Sequence, residues 1–232
     1  MRPSPARSQP ILWLDLETTG LDVNHDRILE VAAVLTNGDL KVIESYHAVL
    51  KWPEEALERL ITEPEVWEMH SRNGLIDACV EASATLPDVS GDLLRFLDDY
   101  VDGQVILAGS GVAHFDLLCL REWLPRVAER LAYYTLDIGI VRRFLQIVVG
   151  LPEENRPQVP HRALDDVLLH IEEARAYRDR LRDDHDIANG KEDGQVEHLA
   201  ALAENTQEIA STLARIGDAF ALGELHVKVR KP

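Results

Sequence analysis

Two acidic residues, Asp15 and Glu17, lie at the end of an apolar run that begins at Ile11. Residues two apart on a β-strand project to the same face, so both carboxylates are expected side by side where the strand leaves the core. Two carboxylates this close resist ionising together unless a cation lies between them, and hard divalent ions such as Mg²⁺ prefer oxygen ligands of this kind. The alternative is a solvated strand end that carries two acids by chance, and this segment alone does not decide between the two.

Three further residues of suitable chemistry follow in the chain. Asp116 is expected at the start of a helix, and His161 and Asp166 are expected around the start of another. Each has an ordinary alternative, because an aspartate at a helix start is commonly a cap and a lone histidine is commonly structural. Their order, and their places at strand edges or helix openings of one sheet, favour a shared cleft.

Composition limits the class of partner. The net charge of −17 disfavours long nucleic acids, which are usually bound by Lys and Arg, and favours short or small ligands. The 232 residues, 46% of them hydrophobic, suit one domain with an appendage. Cys79 and Cys119 have neither disulfide nor zinc spacing, and residues 1–9 form a polar lead-in without a signal peptide. We therefore expect a cytoplasmic protein with no membrane partner.

The order of elements predicts an α/β fold over residues 10–182. Three strands in a meander are followed by helices that alternate with two further strands, which gives a mixed sheet covered by helices. The first strand is apolar on both faces and is expected to be the most buried. The predicted strands are residues 11–20, 27–36, 40–50, 104–108 and 135–138. The predicted helices are residues 53–60, 63–70, 75–84, 89–100, 115–124, 139–149 and 162–181. Residues 126–133 are expected to extend the helix over residues 115–124.

The last fifty residues have a different pattern. Residues 183–195 are charged and lack apolar periodicity, which predicts a linker, and residues 224–232 form a short basic tail. Between them, residues 196–223 predict a heptad helix that self-associates as a coiled coil, although an amphipathic helix packed on the domain is the alternative. The residues of the heptad seam are Leu199, Leu202, Thr206, Ile209, Leu213, Ile216 and Phe220.

Three motifs in order, DLETTGLD, HFD and HRALDD, resemble those of the DEDDh 3′→5′ exonucleases, and among these the oligoribonucleases most. The resemblance covers about residues 10–180. It implies an RNase H-like fold, a mixed five-stranded sheet with helices on both faces. It also implies two divalent ions, Mg²⁺ or Mn²⁺, with His161 as the general base. The implied metal ligands are Asp15, Glu17, Asp116 and Asp166.

The chemistry of these residue types agrees with the resemblance. Two cations can stabilise the charge of an attacking hydroxide and of a phosphodiester leaving group, and a neutral imidazole can accept a proton. The sequence thus predicts a 3′→5′ exonuclease that hydrolyses short single-stranded oligoribonucleotides to nucleoside 5′-monophosphates. A DNA exonuclease of the proofreading or repair type is the first alternative. A catalytically silent nucleic-acid-binding scaffold is the second.

The resemblance also implies substrate contacts and a homodimer. Leu21 and Trp67 match residues that wedge against bases, His70 and Ser110 match other substrate contacts, and Tyr133 matches a tyrosine supplied across a dimer. Trp67 has core packing as its alternative. Homo-oligomers can form through the exonuclease domain or through the C-terminal helix.

One departure from the family pattern concerns the substrate's 5′ phosphate. Tyr134 stands where the oligoribonucleases carry an arginine, whose guanidinium fork is hard to replace at a phosphate. A strict preference for dinucleotides therefore does not follow from the resemblance. The arginines that can substitute are Arg142, Arg143 and Arg162. Asp137 is expected to be structural, and Asp165 is expected to point away from Asp166.

Overall fold

The computed structural model describes residues 9–150 and 161–188, with side chains up to residue 182. The chain divides into two compact units, residues 1–177 and 178–232, and only the end of one helix is described in the second. Apart from the end of that helix, the first unit carries every element discussed below. The predicted lead-in up to residue 8, the heptad helix and the basic tail lie outside the described residues.

A mixed five-stranded sheet forms the centre of the first unit, in the order β3-β2-β1-β4-β5. The first three strands pair antiparallel, whereas β1–β4 and β4–β5 pair parallel. The strands are β1 Ile11–Thr18, β2 Ile28–Thr36, β3 Val42–Val49, β4 Val105–Gly109 and β5 Leu131–Asp137. The predicted α/β architecture, with a meander followed by alternating elements, is confirmed.

Helices cover both faces of this sheet because β1 is apolar on both. Its even-numbered residues, such as Leu12 and Leu14, enter a core that includes Leu93 and Leu97 of α4. Its odd-numbered residues face α8, as described below. The helices are α1 Glu54–Leu60, α2 Pro64–Arg72, α3 Leu75–Glu81, α4 Leu86–Tyr100, α5 Asp116–Trp123, α6 Pro125–Ala128, α7 Ile138–Ile147 and α8 Ala163–Ala188.

Most element bounds lie within three residues of the prediction, and two regions differ by more. The helical extension over residues 126–133 is wrong beyond Ala128, because Leu131 pairs with Val105 and begins β5 four residues earlier than expected. The last described helix, α8, ends at Ala188 and so extends into the segment predicted as a linker. A helix needs an apolar stripe only where it packs against other elements. The lack of apolar periodicity after residue 182 therefore does not show that α8 ends there. Within the described residues, no helix has the length and apolar character of a membrane span.

Candidate active site

The odd-numbered face of β1 brings the N-terminal part of α8 to the sheet. Ile11 and Trp13 pack with Ala163, Val167 and Ile171, which recur at helical spacing on one side of α8. The indole of Trp13 donates a hydrogen bond to Thr36 Oγ1 (3.0 Å) on the neighbouring strand. Because side chains alternate along β1, the two residues that continue this face are the acids of the first motif.

Asp15, Glu17 and Asp166 meet at the end of this face. Ligand-type oxygens of the three carboxylates all lie within 4.8 Å of one another. Asp166 follows Ala163 by one helical turn, so the packing of α8 on β1 also places its carboxylate at the strand. Three of the four predicted metal ligands, from segments about 150 residues apart in sequence, are therefore brought together.

Asp116, the fourth predicted ligand, lies beside this cluster without joining its three-oxygen group. It is the first residue of α5, it is buried, and its Oδ1 accepts a hydrogen bond from the Leu16 amide (3.1 Å). Burial, and next the negative charge of Asp116, raises the pKa of Asp15 well above its usual value. The two carboxylates are thus close enough to interact strongly.

Burial and mutual repulsion hold these acids away from full ionisation. Burial and then the charge of Asp166 raise the pKa of Glu17 to about 8. Burial raises the pKa of Asp116 to about 7. A cluster of carboxylates that resists ionising together is stabilised by a bound cation, and its all-oxygen donor set suits Mg²⁺ or Mn²⁺. The residues present therefore fit the divalent ions that the sequence implied.

His161 lies immediately before the arginine that precedes α8. It is exposed and its backbone is left-handed, with φ of 52°. Its carbonyl accepts a hydrogen bond from Asn73 Nδ2 (2.5 Å). Asp165, next to the cluster residue Asp166, is outside the three-carboxylate group, in agreement with its expected orientation.

Three of the predicted substrate contacts, Leu21, Trp67 and Tyr133, differ in exposure. Leu21 is 82% exposed just beyond β1, and Tyr133 is 92% exposed on β5. Trp67 is half-buried and packs at the edge of a core cluster that contains Leu57 and Ile61. It also lines an open groove of about 430 Å³ with Glu58, Ile61, Thr62 and Pro64. Trp67 therefore combines core packing with an accessible face, and its stacking role stays a prediction.

His70 is enclosed in the protein. It is 0% exposed, its Nε2 donates to the Thr18 carbonyl (2.9 Å), and its Nδ1 is buried with no hydrogen-bond partner among the described residues. Burial lowers the pKa of His70, which favours the neutral ring. The imidazole thus supports the turn that follows β1, and its predicted substrate contact stays a prediction.

An arginine lies at the predicted substrate contact Ser110. Arg142 Nη2 donates to Ser110 Oγ (2.7 Å), and Arg142 Nε lies 3.0 Å from a Glu173 carboxylate oxygen. A Cβ at Gly139 would lie 2.8 Å from Ser110 Oγ, so glycine leaves room for this contact. Of the three arginines considered, Arg142 is the one placed beside a predicted substrate residue.

The other candidates near this end of the sheet have structural contacts. Arg162 binds Glu30, and Tyr134 packs edge-on against Tyr133 with ring centroids 4.9 Å apart. Asp137 caps α7 through the Ile140 amide and also accepts from the Gly111 amide, both at 3.1 Å, as its predicted structural role requires.

Sequence reasoning missed Glu30, a fully buried acid on β2 that binds the residues before and at the start of α8. The available signal was its isolation, because Glu30 is the only charged residue in the strand ILEVAAVLT. Such a residue is expected to be paired. Its partner, Arg162, is 132 residues away and could not be inferred from spacing.

Comparison with known proteins defines the class. An exonuclease family model (RNase_T) matches residues 12–174, which covers all five predicted catalytic residues. The chain belongs to this exonuclease family, and the predicted resemblance to 3′→5′ exonucleases is confirmed.

Within this family, similar proteins include oligoribonucleases of fungal, animal and bacterial origin. The probable oligoribonuclease of Schizosaccharomyces pombe is 32% identical over 73% of this chain and 68% of its own length. The mitochondrial oligoribonuclease of Bos taurus is 31% identical over 78% of this chain and 77% of its own length. The oligoribonuclease of Corynebacterium glutamicum is 32% identical over 75% of this chain and 80% of its own length. These identities support the predicted similarity to oligoribonucleases in particular.

Solved structures share the fold at lower identity. Exonuclease I from Methylocaldum szegediense matches with a TM-score of 0.57 and 22% identity over 74% of this chain and 41% of that one. Escherichia coli Exonuclease I in complex with a 5cy-dT13 oligonucleotide matches with a TM-score of 0.57 and 18% identity over 75% of this chain and 41% of that one. The chain thus spans about two fifths of the length of these two proteins.

Proposed function

We propose that this chain is a metal-dependent 3′→5′ exonuclease that hydrolyses short single-stranded oligoribonucleotides to nucleoside 5′-monophosphates. The observation that carries the proposal is the convergence of Asp15, Glu17 and Asp166 within 4.8 Å. The oligoribonuclease relatives support RNA as the substrate. The net charge of −17 supports short substrates, since few phosphates then have to be bound.

In this proposal the four acids hold two Mg²⁺ or Mn²⁺ ions. When bound, the ions would stabilise the negative charge that develops on the attacking and leaving oxygens. His161, exposed beside Asn73, accepts the proton of the attacking water, which a neutral imidazole does efficiently near physiological pH. Leu21 and the accessible face of Trp67 pack against bases without reading their sequence. Arg142, held at Ser110, supplies positive charge near the substrate's phosphates.

Product analysis on labelled ladders tests the proposal. RNA and DNA ladders of two to twenty nucleotides, labelled at the 5′ end, are incubated with Mg²⁺ or Mn²⁺ and separated by chromatography. We expect stepwise shortening from the 3′ end, fastest on the shortest RNA. Equal or faster shortening of the twenty-nucleotide DNA would instead favour a DNA exonuclease. Binding without hydrolysis would favour a scaffold.

Adjacent acids on α8 provide a matched pair of variants. Asp166→Asn removes one carboxylate of the cluster, and we expect it to lower the rate at least 100-fold, because loss of a proposed ligand should cost more than the roughly 10–100-fold typical of a residue that only supports a ligand. Asp165→Asn removes a carboxylate outside the cluster and should retain nearly full activity. Equal rates for the two variants would exclude the proposed site.

We further propose a homodimer formed by the β5–α7 face, defined as the exposed apolar residues of β5 and α7. Among the described residues, the edge strand β5 pairs with a strand on one side only, and Tyr133, Phe144 and Ile147 are more than half exposed. Apolar patches of this kind commonly mark protein interfaces. A dimer would bring Tyr133 of each chain toward a partner. The cytoplasmic location stays a prediction.

A further inference from the structure

Glu30 is the most completely enclosed carboxylate beside the candidate site. It is 0% exposed and lies opposite Glu17 in the β1–β2 ladder. Its Oε1 accepts from His47 Nε2 (2.7 Å) and from Arg162 Nη2 (2.7 Å). Its Oε2 accepts from Arg162 Nε (3.0 Å) and from the Ala163 amide (3.0 Å). Every one of these donors except His47 belongs to the residues at the beginning of α8.

These contacts make Glu30 a buried anion that holds a helix end. A buried carboxylate is tolerated only when its charge and lone pairs are satisfied. Burial would raise the pKa of Glu30, but the hydrogen bonds from His47 and Arg162 outweigh it and lower the pKa to about 2. The Ala163 amide is one of the helix-terminal donors that lack an intrahelical partner, and negative charge is favoured there. Glu30 therefore ties α8 to β2.

Asn73, between α2 and α3, holds the same turn from the other side. Its Nδ2 donates to the His161 carbonyl (2.5 Å), and its Oδ1 accepts from the Leu75 amide (3.0 Å). His161 needs such support because its φ of 52° is unfavourable for a residue with a Cβ. The Asn73 carbonyl also accepts from Arg162 Nη1 at 3.5 Å, which links the two contacts.

We propose that Glu30 and Asn73 are positioning residues that fix the turn at residues 161–163 and thereby direct His161 and Asp166 toward Asp15 and Glu17. This inference rests on the proposed function. Glu30 lies on the strand adjacent to β1, so its contacts set α8 in register with the strand that carries the other two acids. Neither positioning residue is assigned a contact with substrate or metal.

A purely structural role would change stability alone, whereas a positioning role also changes the site in the folded protein. Asn73→Asp keeps the oxygen that accepts from the Leu75 amide but removes the donor to His161. We expect kcat to fall about 10–100-fold, as displacement or loss of supporting hydrogen bonds does in other sites. KM should change little. Asn37→Asp is the matched control, because Asn37 also accepts from backbone amides in a turn, but in the β2–β3 hairpin.

Rescue separates the lost hydrogen bond from the added charge. Asn73→Ser retains a hydroxyl that can donate and accept, without a charge. We expect it to recover most of the rate that Asn73→Asp loses. If both Asn73 variants keep the wild-type kcat, or if Asn37→Asp loses as much as Asn73→Asp, the role of Asn73 is refuted.

Glu30→Gln tests the other contact in the metal-free protein. The substitution keeps the shape but removes the charge that binds Arg162 and the Ala163 amide. We expect hydrogen exchange of the Ala163 amide, followed by NMR, to accelerate at least tenfold while the other amides of β2 remain protected. The Mn²⁺ affinity, measured by electron paramagnetic resonance, should fall about tenfold because Asp166 is no longer held. Glu44→Gln on β3 controls for the loss of one acid.

The outcomes separate this inference from the proposed function. If the wild-type chain hydrolyses no oligonucleotide but Glu30→Gln still accelerates exchange and weakens Mn²⁺ binding, the function is wrong and the positioning of Asp166 stands. If the wild type is active and Glu30→Gln preserves slow exchange, Mn²⁺ affinity and kcat, the positioning role of Glu30 is overturned. If Glu30→Gln does not fold, the Asn73 variants still decide the part that concerns His161.

Discussion

At the scale of single residues, burial favours a raised pKa for every buried acid near the site, but the hydrogen-bond partners of each acid decide whether its pKa is raised or lowered. Burial raises the pKa of Glu17 to about 8 and that of Asp116 to about 7. Glu30 is buried as well, yet its hydrogen bonds from His47 and Arg162 lower its pKa to about 2. The charge of Glu30 is thus balanced by partners within the protein, whereas a divalent cation would stabilise the ionised form of the cluster acids.

The metal-free protein is expected to lose stability between pH 5 and pH 8. Unfolded carboxyls titrate near pH 4, whereas Glu17 and Asp116 titrate near 8 and 7 when folded. The folded state binds more protons in this window, so the free energy of unfolding falls as pH rises. Glu30 contributes no slope here, because its stabilisation is present above about pH 4 and is lost only toward pH 2.

Thermal unfolding in EDTA across this pH range measures the effect. The Tm should fall toward pH 8, and Mn²⁺ or Mg²⁺ should abolish the fall because cations replace the protons. Glu17→Gln should flatten the dependence, whereas Glu55→Gln, in the first turn of α1, should not change it. A Tm that rises steadily from pH 5 to pH 8 in EDTA would contradict the assigned pKa shifts.

Leu21→Ala is expected to raise KM for a dinucleotide without lowering the Tm. The side chain is 82% exposed, so its removal leaves no cavity, but a leucine covered by a base contributes about 1.5 kcal/mol, or about tenfold in affinity. Its loop is held independently, since Trp123 Nε1 donates to the Val23 carbonyl (2.9 Å). Steady-state kinetics alongside Ile43→Ala, on the edge strand β3, provides the comparison. An unchanged KM would remove Leu21 from the substrate contacts.

At the scale of elements, the sequence correctly predicted those features of the site for which the local residue pattern and the tertiary structure agree. The alternation of β1 correctly predicted that Asp15 and Glu17 share a face, because Ile11 and Trp13 continue that face into the core. The motif order predicted the approach of Asp166, which the structure brings to the same cluster. These features depend on residues that are close in sequence or on a family resemblance.

Other features depend on contacts that no local pattern contains. The start of β5 at Leu131 is decided by pairing with Val105, which overrides the local preference for helix. The enclosure of His70 follows from its hydrogen bond to Thr18, 52 residues earlier in the chain. The role of Glu30 likewise required its distant partner. Sequence thus predicted the acids of the site better than the residues that support them.

Asp137→Ala is expected to lower the free energy of unfolding by about 2–4 kcal/mol, because it removes a helix cap and leaves loop amides without their acceptor. Asp137 is 5% exposed and accepts from the amides of Gly111 and Ile140. Urea denaturation measures the change. Asp88→Ala is the control and should cost less, since Asp88 accepts from Thr85 in an exposed capping box. Equal losses would show that the β4–α5 loop does not depend on Asp137.

At the scale of the whole molecule, exposed apolar side chains concentrate on the β5–α7 face. Tyr133 and Leu136 of β5 are exposed, as are Ile140, Phe144 and Ile147 of α7. A monomer rarely leaves so many apolar side chains of two consecutive elements in water. The predicted heptad helix offers a second interface, so the two have to be tested separately.

Val141→Asp, on α7, is expected to dissociate the proposed dimer, because a buried interface penalises an unpaired charge. Val80→Asp, on α3, is the matched control: the two valines are 37% and 43% exposed, both are on helices, and only Val141 belongs to the β5–α7 face. Sedimentation equilibrium of both variants, in chains ending at residue 182, measures the β5–α7 interface without the heptad segment. A truncated chain that is monomeric while the full-length chain is dimeric would assign assembly to the heptad helix. A monomeric Val141→Asp and a dimeric Val80→Asp would assign it to the β5–α7 face of the exonuclease domain.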